Sequence, residues 1–159
     1  MGYAERGLVM TKGRTWRKGR GKLGVLSPLL GTWQTKADTP MGTVNCTRTF
    51  TPILGGKYIQ LNASWRFPQG TYEELAIFGA GEDGEIAFWS FTSDGKRSEG
   101  SIADVTDIHP QAIGFHAQMP AGLARMAYWP DDAGGFRWAV EAKNAKGWKR
   151  FTEHRYNAA

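Results

Sequence analysis

The last segment of the chain carries the side chains best suited to chemistry. From Trp148 onwards, alternate positions hold Arg150, Thr152, His154 and Tyr156. Alternate residues of a β-strand point to the same face. An arginine can pair with an acidic group, and a histidine can exchange a proton near neutral pH. If this face is interior, it predicts either the binding of an acidic molecule or acid–base chemistry.

The preceding segment, about residues 136–142, indicates which face points inward. Its apolar residues, Trp138 among them, alternate with charged ones, so the apolar face is expected to face the interior. Pairing the two segments across their short connecting loop then places Arg150, His154 and Tyr156 on the inner face beside Trp138. A core built for stability alone does not bury such groups without partners, since desolvating a lone charge is unfavourable.

Two earlier residues are further candidates for a cavity wall. Tyr58 and Glu74 lie in segments where Ile59 and Leu61 compete for the interior, so alternation does not fix which way they face. Two explanations stay open for an interior arginine and histidine. They bind a polar ligand, or they form hydrogen bonds with other interior polar groups such as Glu74.

The sequence contains no pattern for a metal site or an activated nucleophile. Its histidines, His109, His116 and His154, are far apart, and Cys46 is the single cysteine. One cysteine excludes an internal disulfide and any site with several cysteine ligands. We therefore expect no metal site, and the sequence leaves the identity of any cofactor unknown.

The body of the chain reads as short strands with turn residues about every ten positions. Nearly all connections are hairpins, which leaves no room for the long crossovers of a parallel sheet. An all-β fold is therefore expected, a closed antiparallel up-and-down barrel of about ten strands, because closure removes the exposed edges. A β-sandwich is the alternative. The expected strands are about 31–37, 42–51, 57–67, 72–80, 85–93, 96–104, 112–119, 122–129, 136–142 and 148–156.

Residues 1–25 differ from the rest in charge. They hold seven of the 20 basic residues and one of the 15 acidic residues, so this segment has a net charge of +6 and the remainder −1. We expect a disordered basic tail over 1–25 and a barrel domain over 26–159, with Ser27-Pro28 starting a short helical turn. The tail is either solvated or contacts the phosphates of nucleic acid or anionic lipid. The rest of the chain suggests no nucleic-acid partner.

The sequence lacks the features that would direct the protein out of the cell or into a membrane. Residues 1–25 have no apolar stretch of the kind found in secretory signals, and no run of about 18 apolar residues occurs anywhere. A single cysteine suits a reducing compartment. We therefore expect a cytoplasmic protein without a membrane span. The oligomeric state is not indicated.

The segment Leu29-Leu30-Gly31-Thr32-Trp33 resembles the Gly-x-Trp opening of the calycins, the lipocalins and fatty-acid-binding proteins (FABPs). In those barrels the tryptophan plugs one end and an arginine of the last strand packs over it. The resemblance implies that Trp33 is the barrel plug and that Arg150 or Arg155 covers it.

A closer resemblance covers residues 26–156 and points to uncharacterised bacterial FABP-like barrels. It rests on the Gly-Thr-Trp opening, on Leu54-Gly55-Gly56-Lys57-Tyr58, and on the segment 88–95 followed by Glu99-Gly100. That group implies the fold but no settled activity. Nitrobindin-type haem barrels are more distantly similar. Their histidine ligand is matched only by His154, and their Gly-rich motif after the opening tryptophan is absent.

Several functions are compatible with these residues. The leading hypothesis is binding of a small hydrophobic or amphipathic molecule inside the barrel. One alternative is a small-barrel enzyme of isomerase, cyclase or lyase type that uses His154. Others are haem binding through His154, and a scaffold without a small ligand.

Overall fold

The computed structural model of the protein describes residues 16–159. Within these residues ten strands follow one another, with a 3₁₀ helix at Lys22–Leu29 and a 3₁₀ turn at Leu54–Gly56. The strands are β1 Gly31–Thr39, β2 Gly42–Ile53, β3 Tyr58–Phe67, β4 Gly70–Ala80, β5 Ile86–Thr92, β6 Arg97–Ala103, β7 Ile113–Met119, β8 Gly122–Pro130, β9 Phe136–Asn144 and β10 Gly147–Ala158.

The strands form a closed antiparallel barrel. Each strand pairs with the next in sequence, and β1 closes the barrel on β10. This seam is short, with two register pairs, Trp33 with Ala158 and Gln34 with Asn157. The prediction of a ten-strand up-and-down barrel is confirmed, and the β-sandwich alternative is wrong.

The β5–β6 hairpin shows how the sequence sets a turn. Asp94 accepts hydrogen bonds from the Thr92 hydroxyl and the Lys96 amide, and Gly95 has a φ of 85°. A two-residue type I′ turn would also require a positive φ at Asp94. In the described chain, Leu54 is the one residue other than glycine with a positive φ. The β5–β6 hairpin therefore has a longer loop than the two-residue type I′ turn that an Asp-Gly pair commonly forms.

The 3₁₀ helix covers one end of the barrel, which we call the closed end. Leu26 and Leu29 are three residues apart, so they lie on one side of a helix with three residues per turn. Both are buried in the same core cluster as Trp33 and Phe136. The Trp33 indole donates to the Leu29 carbonyl over 2.7 Å, and its ring meets that of Phe136 at 4.8 Å.

The helical turn before β1 is confirmed, but it begins earlier than predicted. It starts at Lys22 rather than at Ser27, with Gly21 at its N-cap and Pro28 inside it. Part of the expected tail packs against the barrel. The Trp16 indole donates to the Gln111 carbonyl over 2.9 Å, and Leu23 lies against the core. The rest of the predicted disordered tail, residues 1–15, lies outside the described residues.

The opposite end, which we call the open end, carries the tight hairpins. Inward-facing residues near it are half-buried, unlike the fully buried residues at the closed end. This difference makes the open end the accessible side of the barrel interior. The half-buried set includes Trp65, Tyr72, Glu74, Thr92, Met126, Val140, Thr152 and His154.

A β-bulge in β10 changes the predicted facing of its first half. Thr152, His154 and Tyr156 pair with inward residues of β9, but the register shifts between Arg150 and Thr152. Arg150 consequently pairs with Glu141 on the outer face. The prediction that Arg150 shares the inner face with His154 is wrong, because the bulge adds one residue and reverses the alternation.

The loop 104–112, which we call the strap, covers the outside of β8 and β9. Val105 is buried there with Ala127, Trp129 and Ala139. Arg125 fastens the strap with two hydrogen bonds to Asp107, at 3.0 and 2.7 Å, and also donates to Glu141. Within residues 16–159, no helix is long and apolar enough to cross a membrane.

Candidate ligand site inside the barrel

Arg48 is the central residue of the barrel interior. On β2 it alternates with Cys46 and Phe50, which are buried in the core, and it is itself 1% exposed. Its Nε and Nη1 atoms have no hydrogen-bond partner among residues 16–159. A guanidinium group stays protonated in proteins, so β2 carries a buried positive charge with two unused donors.

Aromatic rings surround the Arg48 guanidinium. Its Cζ atom lies 4.5 Å from the ring centre of Trp138, 5.3 Å from Trp65, 5.5 Å from Tyr156 and 5.8 Å from Tyr128. Such distances give favourable cation–π attraction. These rings form a cage that holds the charge in place, but it offers ring faces rather than acceptors to the Arg48 N–H groups.

Three neighbouring polar atoms are also buried without a partner in the described chain. They are the Tyr128 hydroxyl, the Trp138 Nε1 and the His154 Nδ1. Trp138 lies beside the Tyr128 hydroxyl, but no hydrogen bond of normal geometry joins them. Arginine and the indole only donate, and tyrosine can donate. The arrangement therefore suits a group rich in acceptors, such as an oxyanion.

Glu74 provides the acidic side of the interior. It lies on β4, and its Oε2 atom accepts a hydrogen bond of 2.5 Å from the buried hydroxyl of Ser90. Its charge favours the cationic form of Arg48, but no ion pair within 4 Å joins the two in the part of the chain that the structure describes. Glu74 therefore leaves the Arg48 donors free for another acceptor.

Three interior groups, Tyr128, His154 and Cys46, are held in their neutral forms. Burial raises the pKa of Tyr128 to about 12. Burial, together with the positive charge of Arg48, lowers the pKa of His154, which leaves a neutral imidazole near pH 7. Burial also raises the pKa of the Cys46 thiol, which accepts a hydrogen bond of 3.2 Å from the Tyr156 hydroxyl. A nucleophilic role for Cys46 is not favoured by these surroundings.

The structure brings together four of the predicted cavity residues. Trp138, His154 and Tyr156 lie on neighbouring positions of β9 and β10, with the rings of Trp138 and His154 6.0 Å apart. Glu74 faces them across the barrel near Arg48. From Thr152 onwards, alternate residues of β10 therefore share the inner face with Trp138 of β9, as predicted.

Two predicted cavity residues lie on the outer face instead. Arg150 donates to Glu141 and Glu153 and lies over the ring of Trp129. Tyr58 lies over Gly79, where a Cβ atom would overlap its ring. Tyr58 faces outward because its neighbour Ile59 takes the interior position. Neither residue is available to a ligand inside the barrel.

Trp33 is buried near the closed end, but no arginine of β10 covers it. Arg155 instead binds Asp131 and the carbonyls of Ala133 and Gly134 outside the barrel, and Arg150 lies on the outer face. The arginine contact implied by the calycin resemblance is therefore not made by either residue.

The residues next to His154 do not fit a haem group. The bulky rings of Trp138 and Tyr156 fill the interior beside its imidazole, and the Arg48 guanidinium packs between those rings. A fixed positive charge at this place also opposes a ferric ion. In residues 16–159, no group of three or more His, Cys, Asp or Glu side chains has a geometry that could hold a metal ion.

Sequence reasoning did not identify Arg48, Tyr128 or Ser90 as site residues. A sign of Arg48 was present, since it is a charged residue at an alternating position between Cys46 and Phe50. Tyr128 and Ser90 have no such sign, because an isolated tyrosine or serine in a strand fits either face.

Comparison with protein-family models finds no family that matches the chain, and comparison with curated proteins finds no similar one. The closed ten-strand barrel is consistent with a calycin-like fold. What the site does must follow from its own residues.

Proposed function

We propose that the barrel binds a small amphipathic molecule whose acidic group is held by Arg48. The observation that carries this proposal is the buried guanidinium with two unpartnered nitrogens. The Trp138 indole and the Tyr128 hydroxyl supply further donors to the same group. Arg48 takes the role that the sequence suggested for Arg150.

The energetics favour an anionic head group. Each buried donor left without a partner costs about 1–3 kcal/mol, and a buried charge costs more. Cation–π contact with the rings offsets part of this, about 2 kcal/mol for a desolvated pair. A carboxylate or similar oxyanion would neutralise the charge and accept from Nε and Nη1 together.

The apolar part of the ligand would extend toward the open end. Trp65, Met126 and Val140 face inward there and are half-buried. These side chains offer apolar contact between the Arg48 cage and solvent. A molecule with one acidic end and a short apolar tail would place its acidic group at Arg48 and its tail against these apolar side chains.

The proposal is tested with decanoate and decanol, which share a chain and differ in the head group. Isothermal titration calorimetry is expected to show tighter binding of decanoate to the native protein. The variant Arg48→Met should lower decanoate affinity by about 10- to 100-fold, since a hydrogen-bonded ion pair is lost. Decanol affinity should change little.

The matched control is Arg150→Met, which removes an arginine from the outer face. It should leave both affinities unchanged. Equal loss of decanoate binding in the two variants, or an unchanged preference in Arg48→Met, would contradict the proposal. Native mass spectrometry of the purified protein provides an independent check, because a co-purifying ligand should carry an acidic group.

We further propose that the chain is related to the bacterial FABP-like barrels that it resembles. The support is the Gly31-Thr32-Trp33 opening at the start of β1, together with the placement of Trp33 in the core at the helix-covered end. A buried arginine on β2 at the position of Arg48 in members of that group would support a shared ligand class.

A further inference from the structure

Among residues 16–159, two apolar areas on the outer surface of the barrel differ in whether they are covered. The first, around Trp129, is covered by the strap through Val105. The second lies on β4 and β5 and is not covered by any of residues 16–159. We call it the β4–β5 patch, and it consists of the cross-strand pairs Leu75 with Phe91 and Ile77 with Trp89.

Two of the four side chains of the β4–β5 patch are exposed, and the other two, Ile77 and Trp89, are half-buried. Leu75 is 39% exposed and Phe91 is 43% exposed. Cross-strand neighbours form one contiguous apolar surface, and contiguous exposed surfaces of this kind mark interaction sites more often than scattered single residues do. The patch is therefore a candidate contact surface.

Two shallow grooves flank the patch, with volumes of about 490 and 480 Å³, and Phe91 lines both. The first groove is lined by neutral polar residues, including Thr47 and Asn62, and by the acidic residues Glu73 and Glu74. The second contains both charges, Arg97 and Glu99. This mixture lacks the excess of cations that binding to nucleic acid or an anionic membrane requires.

We propose that the β4–β5 patch is a symmetric interface between two copies of this chain. A two-fold contact requires a surface that complements itself. The patch meets this requirement, because Glu73 lies on β4 at one side and Arg97 on β6 at the other. A two-fold axis along β5 brings Phe91 onto the partner's Phe91 and Glu73 near the partner's Arg97. This inference is independent of the ligand proposed for the barrel.

Sedimentation velocity over a range of protein concentrations tests the interface. The native protein is expected to form a dimer as concentration rises. Phe91→Glu should weaken the dimer at least tenfold, because both copies carry the substitution and the contact would bury two facing carboxylates. The matched control is Phe151→Glu, since Phe151 is 62% exposed on β10, away from the patch. The control should leave the dimer intact.

A charge exchange provides the second test. Glu73→Arg should weaken the dimer about tenfold or more through like charges, and Glu73→Arg with Arg97→Glu should restore it. Circular dichroism confirms that each variant is folded. A native protein that stays monomeric overturns the proposal. This includes a monomer that binds lipid vesicles or another protein through the patch. The proposal is also overturned by a dimer that survives Phe91→Glu or dissociates in Phe151→Glu.

Discussion

At the scale of single residues, Arg48 combines burial with unused hydrogen-bond donors. Native proteins satisfy nearly all their buried polar groups, so this exception supports the proposed ligand. The four surrounding rings hold the guanidinium without neutralising it. An unpaired buried charge lowers the free energy of unfolding of the free protein. A bound anion would raise it again.

This view predicts the effect of Arg48→Met on the free protein. Methionine approximates the length of the arginine stem and has no charge, so the variant removes the buried cation without leaving a large cavity. The free energy of unfolding in urea should rise by about 1 kcal/mol or more. Arg48→Ala should instead lower it, because a cavity remains. A loss of stability in Arg48→Met comparable to that in Arg48→Ala would show that Arg48 is satisfied in the free protein.

His154 makes the stability of the protein depend on pH. Its folded-state pKa is lowered by burial and by Arg48, so the unfolded chain binds the proton more tightly. The contribution is therefore complete above the unfolded pKa of about 6.5 and is lost as pH falls through the folded pKa. Urea unfolding at about pH 7.5 and about pH 5.5 should show lower stability at the acidic value.

The control for this pH dependence is His154→Gln, which keeps a polar side chain that does not titrate. The fall in stability between the two pH values should be smaller in the variant. If native protein and variant lose the same stability on acidification, His154 is not the group responsible.

At the scale of elements, strand positions followed from the sequence better than facing did. Each of the ten strands lies within two residues of its predicted bounds. The bulge at β10 could not be predicted, because alternation assumes that each residue has one partner. The sequence gives one sign of the bulge. Strict alternation places Phe151, a large apolar residue, on the outer face, where such a side chain fits poorly. The same rule placed His154 and Tyr156 correctly and missed Arg48, whose charge argued against burial.

Ion pairs of Arg125 attach the strap to the outside of β8 and β9. The Arg125 side chain is 7% exposed, contacts Asp107 and Glu141, and lies 4.2 Å over the ring of Trp148. Arg125→Met should lower the free energy of unfolding by about 2–4 kcal/mol, because it leaves the buried Glu141 with one partner fewer. Thermal or urea unfolding measures the change.

Arg137→Met provides the matched comparison. The Arg137 side chain is 40% exposed and also bridges two carboxylates, Asp131 and Glu153. Its loss should lower stability by less than about 1 kcal/mol, as is usual for exposed ion pairs. Similar losses in the two variants would mean that the strap is not fastened through Arg125.

At the scale of the whole molecule, the barrel separates an accessible half from a filled half. Phe50, Phe78, Phe88 and Phe115 pack together below the Arg48 cage, where their rings approach to 5.1–6.3 Å. This aromatic layer and the 3₁₀ helix leave the open end as the route to Arg48. Composition and hairpin spacing predicted the closed barrel, but which end is covered depends on the 3₁₀ helix that begins at Lys22.

The closure of β1 on β10 has a consequence for how the protein is made. The Tyr156 hydroxyl donates a hydrogen bond to Cys46 across 110 positions of sequence, so the wall around Arg48 is incomplete until β10 has been made. At ribosomal speeds of about 5–20 residues per second, Arg48 leaves the ribosome roughly 5 to 20 seconds before that wall exists. During this interval the guanidinium stays in water. Its desolvation therefore requires β10 to be in place.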